Sequence, residues 1–578
     1  MFAKRFLPNA AWVFGLALAV RLVVLSHFGH SAYFSPTSSD MGFYANWGQR
    51  IAAGQWVEPH AFYGLPGYPF LLGGIFRWVG FSPYTIAFLQ TLSEAAIAAL
   101  LYQIAVWAFP GPRAHVIGGL AALGWTLFQP AQAFSVLCMP TTWGVLAFWG
   151  IFAWSTRTGS RSLWWPWLVL GALAGLAATM VATALLVLPV VLAAAARNLR
   201  KPALVLAAAA SLLAGVAVGT APCWFHNYFI AREPVFLSAH SGVNFWIGNH
   251  PGATGYPSMP PGLRPTQGEL LRDSIRVAEA EEGRPLSRVE VSRHWSAKAN
   301  AYIREHPGQW LGLMGIKIRN LWNATQYDDL SVINPLTEEG VLTPGLRFGA
   351  VALLAIPGIL LAWRRYPRSR WIVMGVALPM VAVLPVFVTE RYRLAAVPGL
   401  LLLGAAGLAQ LGDALAVRRW QGVGQWLGAA AAGACVVFWP VNEPALRWLD
   451  TYNSGLKALE VGNLPSARAK LERAFAFAPG NSEVLSSLGN YWLHTGDFEQ
   501  AKIFYRRALE ANPACVGALN NLAIVAMAEG QWVAAQNLLA AALRIEPEDP
   551  GMRVLSDRCA SELARRAASH GPINPATP

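Results

Sequence analysis

The chain has 578 residues, of which 55% are hydrophobic and 13% are charged, and both fractions depart from the soluble average toward that of membrane proteins. The net charge of +13 does not indicate nucleic-acid binding, because most of the excess lies in short clusters between apolar runs. The five cysteines lack the paired spacings of zinc sites, and nucleotide-binding and zinc-protease motifs are absent from the sequence.

Apolar runs that are long enough to span a membrane fill most of the chain up to residue 441. We predict 11 spans, the first being a retained helix and not a cleaved signal peptide. They lie at 9–28, 84–109, 114–131, 141–156, 163–180, 181–196, 203–221, 345–363, 371–388, 394–411 and 424–441. A shorter run at 66–80 is rich in Gly and Pro and is predicted to be re-entrant or interfacial. No polar residue separates 163–180 from 181–196, so this boundary is arbitrary.

Basic residues cluster in alternate loops between these runs, which predicts the orientation of the chain. The pattern places the N-terminus in the cytoplasm and the chain in the inner or plasma membrane. The loops 29–83 and 222–344, and everything after about 441, are then extracytoplasmic. The clusters are Lys4 and Arg5; Arg113; Arg157 and Arg161; Arg197, Arg200 and Lys201; Arg364, Arg365, Arg368 and Arg370; and Arg418 and Arg419.

Asp40 stands shortly after the first apolar run, in the first extracytoplasmic loop. The residues that follow have a helical pattern, and we expect the helix to lie in the membrane surface. Its apolar face is formed by Met41, Tyr44, Trp47 and Ile51. Taken alone, Asp40 is a good candidate for the N-cap of this helix, a role worth about 1 kcal/mol.

A period of 34 residues begins after the last apolar run. It is carried by Gly462, Gly496 and Gly530; by Ala467, Ala501 and Ala535; by Ala474, Ala508 and Ala542; and by Pro479, Pro513 and Pro547. This spacing resembles that of tetratricopeptide repeats. We expect three repeats within a domain at 446–567, whose last helix caps the stack, and a disordered tail at 568–578. Such a stack binds a protein or peptide partner, or serves as a spacer or dimerisation module.

Four stretches together resemble the type-C membrane glycosyltransferases, close to the protein mannosyltransferase and aminoarabinose transferase superfamily. They are Ser39-Asp40 with the Gly-Leu-Pro-Gly-Tyr-Pro run at 64–69, the run Ala-Pro-Cys-Trp-Phe-His-Asn-Tyr at 221–228, the Gly-Val-Asn-Phe-Trp-Ile-Gly-Asn-His-Pro-Gly-Ala-Thr-Gly run at 242–255, and Glu-Arg-Tyr-Arg-Leu-Ala-Ala-Val-Pro at 390–398. The resemblance covers roughly residues 5–440. It implies an all-α fold, with a polytopic helical bundle at 1–445 followed by the α-solenoid of repeats.

The resemblance implies a transferase that moves a sugar, with inversion, from a polyprenyl-phosphate donor to an extracytoplasmic acceptor. Asp40 matches the family's catalytic acid and would act as the base. Donor-binding candidates lie in the other stretches: His226, Asn227, Asn244, Asn249, Arg391, Tyr392 and Arg393. We expect membrane lipids as further partners and no nucleic acid. We expect no cofactor, although a divalent metal stays open as an alternative.

The chain departs from the family where His226 replaces a frequent Arg and Leu65 a frequent basic residue. A second acidic residue is absent near Cys138, and Glu58, Asp328 and Asp329 are its candidate substitutes, each otherwise an ordinary solvated acid. Two other functions stay open. One is a non-catalytic membrane scaffold that recruits envelope partners through its repeats. The other is a lipid or solute transporter, against which stands the scarcity of ionisable residues in the predicted spans.

Overall fold

A computed structural model of the chain describes residues 9–37, 39–157, 164–199, 201–441, 445–547 and 549–569. In these residues the secondary structure is helical, apart from one isolated bridge between Phe128 and Leu346. The chain divides into two compact units, Met1–Val441 and Asn442–Pro578.

The helices of the first unit vary from four to 26 residues in length. They are α1 (Ala10–Phe28), α2 (Ser39–Ala52), α3 (Gly67–Val79), α4 (Pro83–Ala108), α5 (Arg113–Thr126), α6 (Gln129–Val136), α7 (Thr141–Arg157), α8 (Trp165–Ala178), α9 (Leu188–Leu199), α10 (Pro202–Gly219), α11 (Ala221–Phe225), α12 (Ser241–Gly248), α13 (Gln267–Glu282), α14 (Arg288–Glu305), α15 (Pro307–Trp322), α16 (Ile333–Glu338), α17 (Phe348–Arg365), α18 (Ser369–Val383), α19 (Glu390–Arg393), α20 (Val397–Ala416) and α21 (Trp420–Val437). A 3-10 turn (Ala182–Val187) precedes α9, and a π-helical turn (His226–Ile230) follows α11.

Among the described residues, six helical segments are long and apolar enough to cross a membrane. They are α1, α4, the segment Ala182–Leu199, α10, α17 and α20. The 11 predicted spans are therefore not confirmed as such. The predicted span 163–180 contains the shorter apolar helix α8, and the predicted span 371–388 overlaps the shorter apolar helix α18.

The predicted span 114–131 differs from the helices that form, whereas the predicted span 141–156 corresponds to α7. Helix α5 ends at Thr126, after which Phe128 forms its bridge to Leu346. Helices α6 and α7 are bent by 114° with respect to each other, at the break around Pro140. Pro140 cannot donate a backbone hydrogen bond, which favours a break at this position.

Helix α2 has the face that the sequence predicts, but this face packs against protein. Met41, Tyr44, Trp47 and Ile51 are buried. Its glycine Gly48 lies so close to Leu72 of α3 that a Cβ atom would be 2.8 Å from the leucine Cβ. The apolar side of α2 is thus covered by α3. The sequence had led us to expect that this side faces the membrane surface, and in the structure it does not.

Among its described residues, the second unit has three helix pairs and a final helix, which confirms the predicted repeats. The helices are α22 (Ala445–Glu460), α23 (Leu464–Phe477), α24 (Ser482–Thr495), α25 (Phe498–Ala511), α26 (Val516–Ala528), α27 (Trp532–Ile545) and α28 (Pro550–Ser569). The periodic glycines have positive φ angles of 74°, 81° and 75°, a conformation that glycine adopts without strain. All six periodic alanines are fully buried between helices. The predicted tail lies outside the described residues from 570 onward.

Candidate functional site

Asp40 lies in the first turn of α2 and is almost fully buried. Its Oδ1 atom accepts a hydrogen bond of 3.3 Å from the backbone N–H of Gln267, the first residue of α13. Its Oδ2 atom accepts one of 2.8 Å from Nη1 of Arg391. The carboxylate therefore binds the N-terminus of another helix and a distant arginine, which differs from the role of N-cap to its own helix.

Arg391 belongs to the single turn of α19, which begins after the N-cap Thr389. Its two terminal nitrogens contact two different carboxylates: Nη1 contacts Asp40, and Nη2 lies 2.7 Å from Oδ2 of Asp329. The three side chains are only 9%, 17% and 12% exposed for Asp40, Arg391 and Asp329, respectively. Burial strengthens such ion pairs relative to those at the surface. We call these three residues the Asp40–Arg391–Asp329 cluster.

Asp329 is held in place by its neighbour. The carboxylate of Asp328 accepts hydrogen bonds from the backbone N–H groups of Leu330 at 3.1 Å, and of Val332 and Ile333 at 2.7 Å each. The same segment is joined to α19, because the backbone N–H of Glu390 donates to the carbonyl of Tyr327 at 2.8 Å. The expectation that Asp328 and Asp329 are solvated acids is therefore wrong: Asp328 is buried, the side chain of Asp329 is only 12% exposed, and both carboxylates are bonded.

Burial and neighbouring charges shift the pKa values of Asp329 and Arg391. Burial raises the pKa of Asp329 to about 6; the charge of Arg391 opposes this rise, and that of Asp40 adds to it. Burial alone would lower the pKa of Arg391, but the negative charges around it, chiefly that of Asp329, raise it well above its usual value. Arg391 is thus cationic at neutral pH, and Asp329 is largely ionised.

A ring of polar side chains surrounds Asp40. Burial raises the pKa of Tyr44, and the charge of Asp40 raises it further. Burial likewise raises the pKa of Tyr63, whose hydroxyl has no hydrogen-bond partner among the described side chains. Burial lowers the pKa of His240, whose Nδ1 lies 2.8 Å from the carbonyl of Tyr63. These side chains are neutral at pH 7 and leave Arg391 as the cation that neutralises Asp40.

Tyr392 and Arg393, the other candidates in this stretch, have protein partners. The Tyr392 ring stacks on Phe387 at 5.8 Å and lies 5.3 Å beneath the guanidinium of Arg391. Arg393 is buried, pairs with Glu390 and donates to the carbonyl of Asn323 at 2.8 Å. Because its guanidinium is enclosed in this way, the structure favours a structural role for Arg393 over the predicted phosphate contact.

His226 and Asn227 hold the segments 29–83 and 222–344 together. The Nε2 atom of His226 lies 3.0 Å from the carbonyl of Glu58, and its ring stacks on Phe62 at 4.0 Å. Asn227 accepts from the backbone N–H of Phe62 and donates to the carbonyls of Val235 and Leu237. Neither residue contacts Asp40 or Arg391 among the described hydrogen bonds, so their role in the structure is architectural.

The run at 242–255 also builds the scaffold. Asn249 is fully buried; it donates to the carbonyls of Phe245 and Pro385 and accepts from Trp310 and Lys317. Asn244 is half-buried on α12 and has no side-chain hydrogen bond among the described residues.

Two glycines of this run allow close packing. A Cβ at Gly242 would lie 1.9 Å from the carbonyl oxygen of Ser292, and one at Gly248 would lie 2.2 Å from that of Val386. The two glycines thus stand where the backbones at Ser292 and Val386 approach α12.

The described contacts bring together Asp40, Arg391 and Asp329, three residues of the predicted site or its candidates that lie far apart in the sequence. Glu58, another candidate acid, pairs instead with Arg50 at 2.7 Å. The described residues contain no group of three or more acidic, histidine or cysteine side chains that could hold a metal ion.

A known protein family matches part of the repeats. The sequence model of the tetratricopeptide repeat family matches residues 494–559, which run from the end of α24 into α28. A search of curated proteins found no match to the chain.

Proposed function

We propose that this protein is a membrane glycosyltransferase that moves a sugar, with inversion, from a polyprenyl-phosphate donor to an extracytoplasmic acceptor. One observation carries the proposal: Asp40 and Arg391, from two of the four stretches that resemble type-C glycosyltransferases, meet in one buried cluster. A carboxylate and a cation side by side are the two groups that this reaction needs.

The reaction assigns a role to each of them. The acceptor hydroxyl oxygen forms a bond to the anomeric carbon while the bond from this carbon to the donor phosphate oxygen breaks. The acceptor proton passes to Asp40, which acts as the general base and faces the positive charge of an oxocarbenium-like transition state. The bonding electron pair leaves with the lipid phosphate, whose charge Arg391 stabilises.

The position of the cluster along the chain suits a lipid-linked donor. Asp40 follows the end of α1, and Arg391 precedes the start of α20, and both helices are candidate spans. A polyprenyl tail holds its phosphate at the headgroup layer, so the catalytic groups must lie close to the ends of spans. We propose that these ends face the outside, with the N-terminus cytoplasmic, as the basic clusters predict.

A scaffold that recruits a partner is the second candidate, and the repeats favour it. The family match at residues 494–559 and the three helix pairs are typical of modules that bind peptides or helices. In the proposed enzyme the same module would bring a protein partner, or the acceptor, to the membrane.

Glu94 is the main ionisable residue within the predicted spans, whereas a transporter usually carries several such residues. In the structure Glu94 lies 3.6 Å from Arg21 and accepts from the hydroxyl of Thr142 at 2.9 Å, at the start of α7. Arg21 in turn donates to the carbonyl of Trp125 at 3.0 Å, at the end of α5. A negative charge stabilises the N-terminus of α7, and a positive charge stabilises the C-terminus of α5. Glu94 and Arg21 therefore have a structural role that does not depend on transport.

The experiment that tests the proposal is sugar transfer by the purified protein in nanodiscs. Polyprenyl-phosphate hexoses and pentoses are offered as donors, with envelope lipids, glycans and proteins as acceptors. We expect release of the lipid phosphate together with a glycosylated product. A full donor and acceptor panel that gives neither product would favour the scaffold.

A further inference from the structure

Arg391 is bound in a way that obstructs the proposed reaction. Its Nη1 is occupied by Asp40, and its Nη2 by Asp329. A carboxylate oxygen that accepts a hydrogen bond from the guanidinium is not positioned to take the proton of an acceptor hydroxyl. Before Asp40 can accept a proton and Arg391 can bind a phosphate, one of these two contacts must open.

The two contacts differ in how firmly their backbones are joined. Asp329 and Arg391 lie on segments that are connected by the hydrogen bond from Glu390 to Tyr327. They are further connected by the donation of Arg393 to the carbonyl of Asn323 at 2.8 Å. Asp40, in contrast, lies on α2, a separate element. Its contact with Arg391 is between side chains.

The other hydrogen bond of Asp40 is weak. Its contact with the backbone N–H of Gln267 is 3.3 Å long, near the upper limit for a hydrogen bond. The carboxylate of Asp40 is therefore the partner that can leave Arg391 with the smallest rearrangement.

We propose that Asp329 is a positioning residue that holds Arg391 for the donor phosphate, so that the phosphate takes the guanidinium edge now bound by Asp40. The arrival of the phosphate then frees Asp40 to act as the base. The planar guanidinium suits this exchange, because it offers several N–H donors in a fixed plane that phosphate oxygens can accept. The inference rests on the proposed function and deepens it: the site selects an anionic lipid phosphate, because only an anion replaces Asp40.

The chemistry of Asp329 supports this role. A holder must keep its negative charge while Asp40 moves away. The pKa of Asp329, about 6, leaves it largely ionised at neutral pH. The Nε atom of Arg391 is buried without a hydrogen-bond partner among the described residues, so it is a further donor for a phosphate oxygen once the contact with Asp40 opens.

The test is equilibrium binding of a polyprenyl monophosphate without sugar, in nanodiscs at pH 7.5, with the corresponding polyprenol as the neutral probe. Asp40→Asn removes the competing charge, and we expect it to bind the phosphate about tenfold more tightly than the wild type, equivalent to about 1.4 kcal/mol. Asp329→Asn removes the holder, and we expect about tenfold weaker binding by the same conversion. Asp413→Asn, which disrupts the separate pair with Arg113, is the matched control and should not change the affinity.

Binding of the phosphate by Asp40→Asn that is equal to or weaker than that of the wild type, with an unchanged melting temperature, overturns the inference. Equal or tighter binding by Asp329→Asn overturns it as well. Should Asp329→Asn fail to fold, the affinity of Asp40→Asn decides alone. Binding needs no turnover, so a wild type that transfers no sugar but shows the expected order of affinities refutes the proposed function and leaves the inference intact. A wild type that transfers sugar, with variants that do not show the expected order of phosphate affinities, supports the proposed function and refutes the inference.

Discussion

The Oδ2 atom of Asp40 and the Nη1 atom of Arg391 are 2.8 Å apart, although the two residues are separated by 351 positions in the chain. The second terminal nitrogen of the same guanidinium contacts Asp329 at 2.7 Å. Asp40 and Asp329, which lie in segments far apart in the sequence, therefore converge on one arginine.

Arg393→Ala should destabilise the protein without removing donor binding. The substitution leaves Glu390 buried without its partner and empties the space over Phe348, whose ring lies 3.9 Å from the guanidinium carbon. Removal of one member of a buried ion pair costs about 3–5 kcal/mol. Thermal melting in nanodiscs measures this loss. A variant with the wild-type melting temperature and a weakened donor affinity would instead place Arg393 in the binding site.

Gly242→Ala and Gly248→Ala should both destabilise the first unit. The added Cβ atoms would lie 1.9 Å and 2.2 Å from backbone oxygens, so the backbones must separate. Gly268→Ala in α13 is the control, because nothing lies within 4 Å of its Cβ position. Alanine favours a helix over glycine by up to about 1 kcal/mol, so this control should be neutral or slightly stabilising. Equal melting temperatures for all three variants would show that the approach to α12 is looser.

Lys317 should make stability depend on pH. It is fully buried, and burial lowers its pKa from 10.5 to about 7. Between about pH 7 and 10.5 the unfolded chain holds more protons than the folded protein, so stability rises with pH across this window. Below about pH 7 both states are protonated, and the full cost of the buried charge remains.

The variant Lys317→Met removes this charge. Compared with the wild type, it should be more stable at pH 7 and should gain less stability between pH 7 and pH 9.5. Melting temperatures of both proteins at the two pH values test this. Parallel pH dependences would show that Lys317 titrates outside this window or stays accessible to water.

The repeats can be tested separately, because residues 442–578 form a compact unit of their own. Ala501 is fully buried in α25, so Ala501→Asp places a charge between packed helices and should cost several kcal/mol. Ile503→Asp is the control in the same helix, because Ile503 is 46% exposed. The melting temperature of the fragment 446–567 should fall strongly in the Ala501→Asp variant and change little in the Ile503→Asp variant. A similar loss in both variants would indicate a different helix register.

Local patterns were sufficient to predict the apolar face of α2 and the repeats, because helical and 34-residue periods are properties of the sequence itself. They were not sufficient for Asp329, whose burial depends on the fold around the acid and not on its neighbours in the sequence. They also could not distinguish Arg391 from Arg393. In a helical turn, residues two positions apart point to opposite sides, so one arginine meets Asp40 and the other enters the core.

The predicted spans show a further limit. Hydropathy recognises an apolar run but not where a chain bends within it. The structure breaks the run at 114–131 at Phe128, through a bridge to Leu346 that lies more than 200 positions away. The donor candidates His226, Asn227 and Asn249 were chosen by resemblance, and their polar atoms are engaged by backbone partners that no local pattern identifies.

The most direct test of the proposed function is the rate of sugar transfer by Asp40→Asn, measured beside Asp413→Asn and the wild type with a polyprenyl-phosphate donor. Asparagine keeps the size of the side chain and can still accept from Gln267, so we expect a melting temperature close to that of the wild type. Loss of the base should reduce turnover by about 100-fold or more, while Asp413→Asn keeps the wild-type rate. Transfer by Asp40→Asn at the wild-type rate would contradict the account and leave Asp40 as a structural partner of Arg391.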